Sequence, residues 1–442
     1  MNIKHIRTAV AAVFLTFAFT MTSPVFAAND AMMELLKVLH ENGTIDDATY
    51  GLLKNSAQAD EERTAAKIED TAEEKLASVK KMSDKLKWAE KIKFKGDLRL
   101  RRQYSESDPE MGEKSSRERY RYRLRLGAEG EVTDTVKVGL GLASGSDDPR
   151  STNETFDDSF ETKDIRLDYA FAEWKATDWL DVVGGKFKRK KYLWNPTDLL
   201  WDGDINPEGV SAHLHTKNSF GTAYANAGHW ILDEFRGVSD DPTLTYAQIG
   251  HKFKSGNFFG NVAGTYYSFD GYDIANDDNT GSSGELGEHS SGGNTIVTVG
   301  MEDRYAFDYD SFGLSAEAGV KDVIMPGKIV AVFGDYIKND DSDEDTGRAI
   351  GFKFGDKKVK SAGTWQFKYI NADLEGDAFP DIFPDSDRLG GQTGVKSNEF
   401  VFKYAIAKNI ILALDYYDSE QDLPGEDDDE EKIFQSDISF KF

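Results

Sequence analysis

The 442-residue chain contains no cysteine, which excludes disulfide staples and thiolate metal centres. Histidine is scarce at seven residues, and no HExxH or GxSxG stretch occurs, so the common metallohydrolase and serine-hydrolase signatures are missing. No catalytic residue, metal ligand or cofactor site is read from the sequence. Proline is rare, 10 against 40 glycines, and 53 bases face 79 acids, a balance without the basic footprint of a nucleic-acid binder. Beyond the first residues no uncharged apolar run approaches the ~18 to 20 residues that a spanning helix needs. A polar average does not exclude a transmembrane β-barrel, whose strands present lipid at every second residue only.

Residues 1–27 carry Lys4 and Arg7, then an apolar run over 9–19, then Val25-Phe26-Ala27 with the spacing of a cleavage site. They read as a secretory signal peptide and are set apart from the fold. Its loss leaves a chain two charges more negative than the formal −26. Residues 28–55 have helical spacing broken at Asn42-Gly43, where Gly43 suits a helix C-cap and Thr44-Ile45-Asp46-Asp47 a capping box. This predicts a short helical hairpin. Residues 56–90, rich in Ala, Glu and Lys without Gly or Pro, predict a helical spacer or weak coiled coil. Its seam of Ala65, Ile68, Ala72, Val79, Met82, Leu86 and Ala89 is interrupted at Lys75.

At Lys91 the periodicity changes from helix to alternation and holds to the end, so 91–442 is read as one all-β unit. Apolar and polar residues alternate over 92–104, 117–126, 135–144, 162–174, 180–189, 208–216, 220–231, 243–253, 258–269, 295–320, 329–338, 346–355, 361–372, 397–406, 410–418 and 433–442. Each clear run is roughly 9 to 13 residues, the length a tilted strand needs to cross a bilayer. Short polar turns take turns with long Asp-, Gly- and Ser-rich connections, the asymmetry of periplasmic turns and outer loops. Because single-chain bacterial barrels have even strand numbers, 295–320 is read as one long or interrupted passage, giving sixteen crossings of an antiparallel barrel. The Asp-rich runs 340–345 and 426–431 read as hydrated outer surface. The terminal alternation ending in Ile438, Phe440 and Phe442 resembles the signal read by barrel-assembly machinery.

The stretch RERYRYRLRL places Arg117, Arg119, Arg121, Arg123 and Arg125 at every second position, with Arg99 and Arg101 nearby in the preceding strand. A solvated face needs no single sign, and like charges across paired strands are destabilising. A tolerated row suggests an electrostatic field in a water-filled lumen, with Arg99, Arg101, Arg119, Arg121, Arg123 and Arg125 lining it. Between the fifth and sixth strands, RKKYLWNPTDLLWDGDINPEG combines Asp198, Asp202, Asp204 and Glu208 with Trp194, Leu199, Leu200 and Trp201. So many apolar residues predict a loop folded inside the barrel, its acids facing Arg99, Arg101, Arg121 and Arg123 across a constriction.

The stretches FGDYIKN (333–339), Thr346-Gly347, GFKFGDKKVKSAGTWQFKYINADLEGDAF (351–379), DSD (385–387), YAIAKNIILALDYY (404–417) and LLWDGDINPEGV (199–210) resemble the bacterial putative porin family. The segment LLKVLHENGTIDDATYGLL is similar to the short helical segment ahead of the barrel in such porins. The resemblance implies an outer-membrane barrel and passive diffusion without supplying a solute.

The leading expectation is a non-enzymatic porin of the Gram-negative outer membrane, surrounded by lipid and passing small hydrophilic solutes and ions. Alternatives are an anion-preferring pore, favoured by the arginines, and an envelope-tethering barrel whose 56–90 helix binds peptidoglycan. The loose heptads suggest a homotrimer. A barrel enzyme needs a compact nucleophile-and-base set, whereas His213 and His215 lie two apart on one strand without a serine partner.

Overall fold

The computed structural model describes residues 31–442 apart from 86–90, 110–111, 235–240, 272–273, 277–291, 300–301 and 424–428. The expected signal peptide lies outside the described residues. The chain divides into two compact units at Ile92/Lys93.

In the first unit, helix α1 (31–41) ends where Gly43 takes φ +71°. The Gly43 and Thr44 amides then donate to the carbonyls of His40 and Leu39, both at 3.0 Å, which satisfies the last turn in a Schellman closure. Helix α2 spans Asp47–Lys85. Asp46 caps it by accepting from the Thr49 amide at 2.8 Å, and the Thr49 side chain together with that amide holds its carboxyl below the usual range. The ring of His40 stacks on Tyr50, and its Nε2 lies 2.6 Å from Asp47 Oδ1. The expected division at 55/56 falls inside one continuous helix, because Asn55-Ser56 contains no breaker strong enough to end it. Of the seam, Ala65, Ile68, Ala72 and Val79 are exposed, and Leu86 and Ala89 lie outside the described residues.

The second unit is a closed antiparallel barrel of sixteen strands. They are β1 Ile92–Asp108, β2 Ser115–Glu131, β3 Val136–Ser144, β4 Ile165–Lys175, β5 Leu180–Lys186, β6 Glu208–Asn218, β7 Gly221–Ile231 and β8 Thr243–Ser255. The second half comprises β9 Phe258–Asp270, β10 Ser311–Lys321, β11 Ile329–Asn339, β12 Thr346–Gly355, β13 Trp365–Leu374, β14 Val395–Ala407, β15 Ile410–Gln421 and β16 Glu430–Lys441. Each pairs with its sequence neighbours. Closure comes from β1 on β16, in register from Asp97↔Lys441 to Asp108↔Glu430, with Gly96 and Phe442 exchanging both backbone hydrogen bonds. Closing the ring removes the exposed edges that would otherwise invite pairing with another chain.

Alternation sets the two faces. On β11, Ala331, Phe333 and Ile337 are buried while Val332 and Tyr336 are exposed; across the wall, Leu314, Ile350, Phe352, Phe402 and Leu412 extend the outward apolar surface. So wide an exposed apolar band suits lipid rather than water.

The region 295–320 is two structures. Only Ser311–Lys321 joins the barrel, paired to β9 from Phe258↔Val320 to Tyr267↔Ser311. Glu302–Tyr305 instead pairs with Ile296–Val299 on one side and Ile274–Asn276 on the other, in a separate three-stranded sheet. These short strands satisfy one another's backbone groups within the loop, which is why they add no crossing. The outer half of β2, longer than its neighbour β3, finds a partner in Glu154–Thr155, aligned with Tyr122 and Arg121.

Candidate functional site: the charged interior of the barrel

The loop 187–207 leaves the wall after Gly185 and rejoins it at Gly209, residues that pair with each other across β5 and β6. Both have positive φ, +107° and +140°, and a Cβ at either would stand 2.4 or 2.3 Å from the carbonyl oxygen of Ala170 or His229. Only glycine lets the chain turn this tightly against the neighbouring strands. The loop then touches widely separated strands. Trp194 exchanges two hydrogen bonds with Gln248 on β8, both at 3.0 Å; the Thr197 amide donates to Asp335 on β11 at 2.9 Å; Asp204 reaches Arg125 on β2. A loop bonded to so many parts of a closed ring crosses its interior.

Its apolar residues have a partner loop. Trp201 packs on Phe383 with ring centroids 4.6 Å apart and on Phe379 at 5.5 Å, both from the loop 375–394, as well as on Trp230 at 5.5 Å. Leu193, Leu199 and Leu200 join the same buried cluster. Arg189, itself buried, lies 5.3 Å from the Trp201 ring and donates to the Asn195 side chain at 3.2 Å. The two loops are also joined by polar bonds: the Asp202 amide donates to the Phe383 carbonyl at 2.7 Å, and the Ser386 amide donates to Asp202 Oδ2 at 3.1 Å. Arg388 is the junction of the assembly, with nitrogens 2.8 Å from Asp198, 3.4 Å from Asp385 and 2.7 Å from Glu399 on β14.

The acids of the 187–207 loop therefore separate. Asp204 meets the arginine row, 3.0 Å from Arg125 and 3.8 Å from Arg123, and accepts from Thr152 at 2.9 Å. Although burial opposes it, the nearby Arg123, Arg125 and Arg99 hold its carboxyl below the usual range. Asp202 faces the partner loop, and burial together with the Asp204 charge pushes its carboxyl up to about 8. Asp198 belongs to Arg388, which holds it low against the effect of burial. Glu208 begins β6 and pairs with Lys186 at 2.8 Å, with no arginine ion pair among the described residues.

Among the arginines, Arg123 and Arg125 bind Asp97 at 2.9 and 3.0 Å. Arg101 makes a fork to Asp437, at 2.8 and 2.9 Å, and lies 3.6 Å from Asp387. Arg99 donates to Asn153 and lies 3.6 Å from Asp437. Arg121 donates only to the neutral Gln103, at 3.3 Å, and neither it nor Arg119 has an ion-pair partner among the described residues. The sequence reading passed over Asp97, Asp437, Asp387 and Arg388. Asp437 carried a usable signal, because closure of an even-stranded barrel sets it opposite Arg101.

Wall, closure and inward loops define a β-barrel of the outer-membrane porin class. Residues 103–306 and 294–442 match the family described as Putative porin, and the chain belongs to that family. A comparison with curated protein sequences finds no match. Among solved structures, the high-pH form of Pseudomonas putida OprB aligns with TM-score 0.52 and 12% identity over 80% of this chain and 94% of that one. The outer-membrane channel DcaP of Acinetobacter baumannii aligns with TM-score 0.45 and 12% identity over 79% of this chain and 97% of that one. The likeness to OprB is one of fold.

Proposed function

We propose that this barrel is a non-enzymatic diffusion channel of the outer membrane, passing small hydrophilic solutes and ions with a preference for anions. The observation that carries the reading is the unpaired cation density at Arg119 and Arg121, on the inward side of a strand whose alternate residues are apolar. In a low-dielectric wall such charge raises the local concentration of anions. Purified protein in planar bilayers should give stepwise currents with a reversal potential on the anion side. A folded barrel without steps would remove the channel reading, and a cation-side potential would remove the preference.

In the same reading, the amino-terminal leader directs export, and Ile438, Phe440 and Phe442 at the closing strand present the protein to barrel-assembly machinery. The exposed Leu52, Ile68, Leu76 and Val79 of α2 favour self-association as a homotrimer over a peptidoglycan tether. Removing residues 56–90 should lower the oligomer seen by native mass spectrometry while the barrel persists. Unchanged oligomers would remove the trimer reading, and peptidoglycan capture lost with the helix would support the tether instead.

A further inference from the structure

The arginine row is divided by its partners. Toward the Glu131 end of β2, Arg123 and Arg125 are matched by Asp97 and Asp204, and the Arg101 guanidinium is taken by Asp437 and Asp387. Toward the Ser115 end, Arg119 and Arg121 point inward from the same face of β2 without a carboxylate in ion-pair range among the described residues. Their Nε–H groups are buried and donate to no partner; Arg99 and Arg123 share that feature, but their other nitrogens are occupied. The acids that act on the pair from a distance are Asp387 and Glu431. Asp387 is itself engaged by Gln435 at 2.8 Å and by Arg101.

We propose that Arg119 and Arg121, with the Gln103 amide beside them, form a discrete and saturable site for an oxyanion, the carboxylate or phosphate group of a small solute. This rests on the channel reading above and adds a bound state to it. Residues two apart on a strand are separated by about 6.6 Å, close enough for two long side chains to converge on one oxyanion. Each guanidinium offers a planar fork of N–H donors that matches carboxylate or phosphate oxygens two at a time. A chloride ion gains only the field, whereas an oxyanion gains the fork as well. The neighbouring bound arginines cannot compete, since their forks already hold carboxylates.

The experiment is the chloride current of the full-length protein in planar bilayers, titrated at constant ionic strength with inorganic phosphate and, separately, with acetate. Equilibrium dialysis of radiolabelled phosphate against detergent-solubilised protein runs in parallel. Saturable block and saturable binding are expected, and Arg119→Gln/Arg121→Gln should raise the half-saturating concentration roughly ten-fold or more, since two charge-assisted forks are lost. Arg121→Lys keeps the charge without the fork and should fall between. Arg102→Gln, which alters an arginine paired with Glu118 on the opposite face of β1, should leave both titrations as they were. Saturation by phosphate but not acetate assigns the site to phosphoryl groups, and saturation by both assigns it to oxyanions generally. Block linear in concentration, or a double variant with unchanged half-saturation, overturns the site while leaving the channel standing. Binding without any current overturns the channel and keeps the site. Should the double variant fail to fold, Arg121→Lys and Arg119→Gln alone decide the matter by the same shift.

Discussion

Arg125 Nη1 on β2 and Asp204 Oδ1 in the loop 187–207 lie 3.0 Å apart, joining wall and loop across 79 residues of sequence. Through this pair the loop neutralises one end of the arginine row. Asp204→Asn should therefore release Arg125 and Arg123 and move the reversal potential further toward anions. Asp202→Asn should move it little at neutral pH, because that side chain contacts the partner loop and is held largely protonated. Equal shifts from the two substitutions would show that loop charge acts only as a distant sum.

The elevated Asp202 sets a pH dependence. Its carboxyl titrates near 4 in an unfolded chain and at about 8 in the folded one, so the folded state favours its protonated form. That contribution to stability is fully present below pH ~4 and is lost as pH rises through about 8. The thermal transition of the detergent-solubilised barrel, read by gel mobility, should fall between pH 6 and 9 in the parent and stay flatter in Asp202→Asn. A parent transition that rises over this range would contradict the assignment.

Arg388 bridges three carboxylates, the buried Asp385 and Glu399 and the half-buried Asp198, so its truncation should be more disruptive than loss of any one of them. Arg388→Ala should cost the loop assembly about 3 to 5 kcal/mol, the range for breaking a buried ion pair from one side. The expected signs are noisier single-channel currents and protease cleavage within 375–394. Quiet channels and intact loops would indicate that the aromatic contacts of Trp201 suffice.

The outward face makes an opposite demand. Val332→Arg near the middle of β11 should cost about 2 to 4 kcal/mol and lower the yield of heat-modifiable barrel. Normal folding of this variant would place that residue away from lipid.

Much of the wall was legible because alternation is a local property: each inward arginine of RERYRYRLRL is fixed by its parity with Leu124 and Leu126. The inward loop was legible from the mismatch of Trp201, Leu199 and Leu200 with water. The destinations of its acids were not, since they depend on which segments closure brings together. Asp198 and Asp202 went to the loop 375–394, whose Phe379, Phe383 and Arg388 gave no local hint of sharing the interior. Glu208 followed the strand it begins. The paired strands Ile296–Val299 and Glu302–Tyr305 imitated a crossing because short strands in a loop alternate as a wall strand does.

The most direct measurement is the reversal potential of the purified protein in a planar bilayer under a KCl gradient at low ionic strength, where screening reaches only ~10 Å at 0.1 M and is weaker below that. The account predicts stepwise conductance, a potential displaced toward the chloride equilibrium value, and a return toward the potassium value in Arg119→Glu/Arg121→Glu. A folded, heat-modifiable barrel that gives no steps, or a potential that the double substitution leaves unmoved, would contradict it.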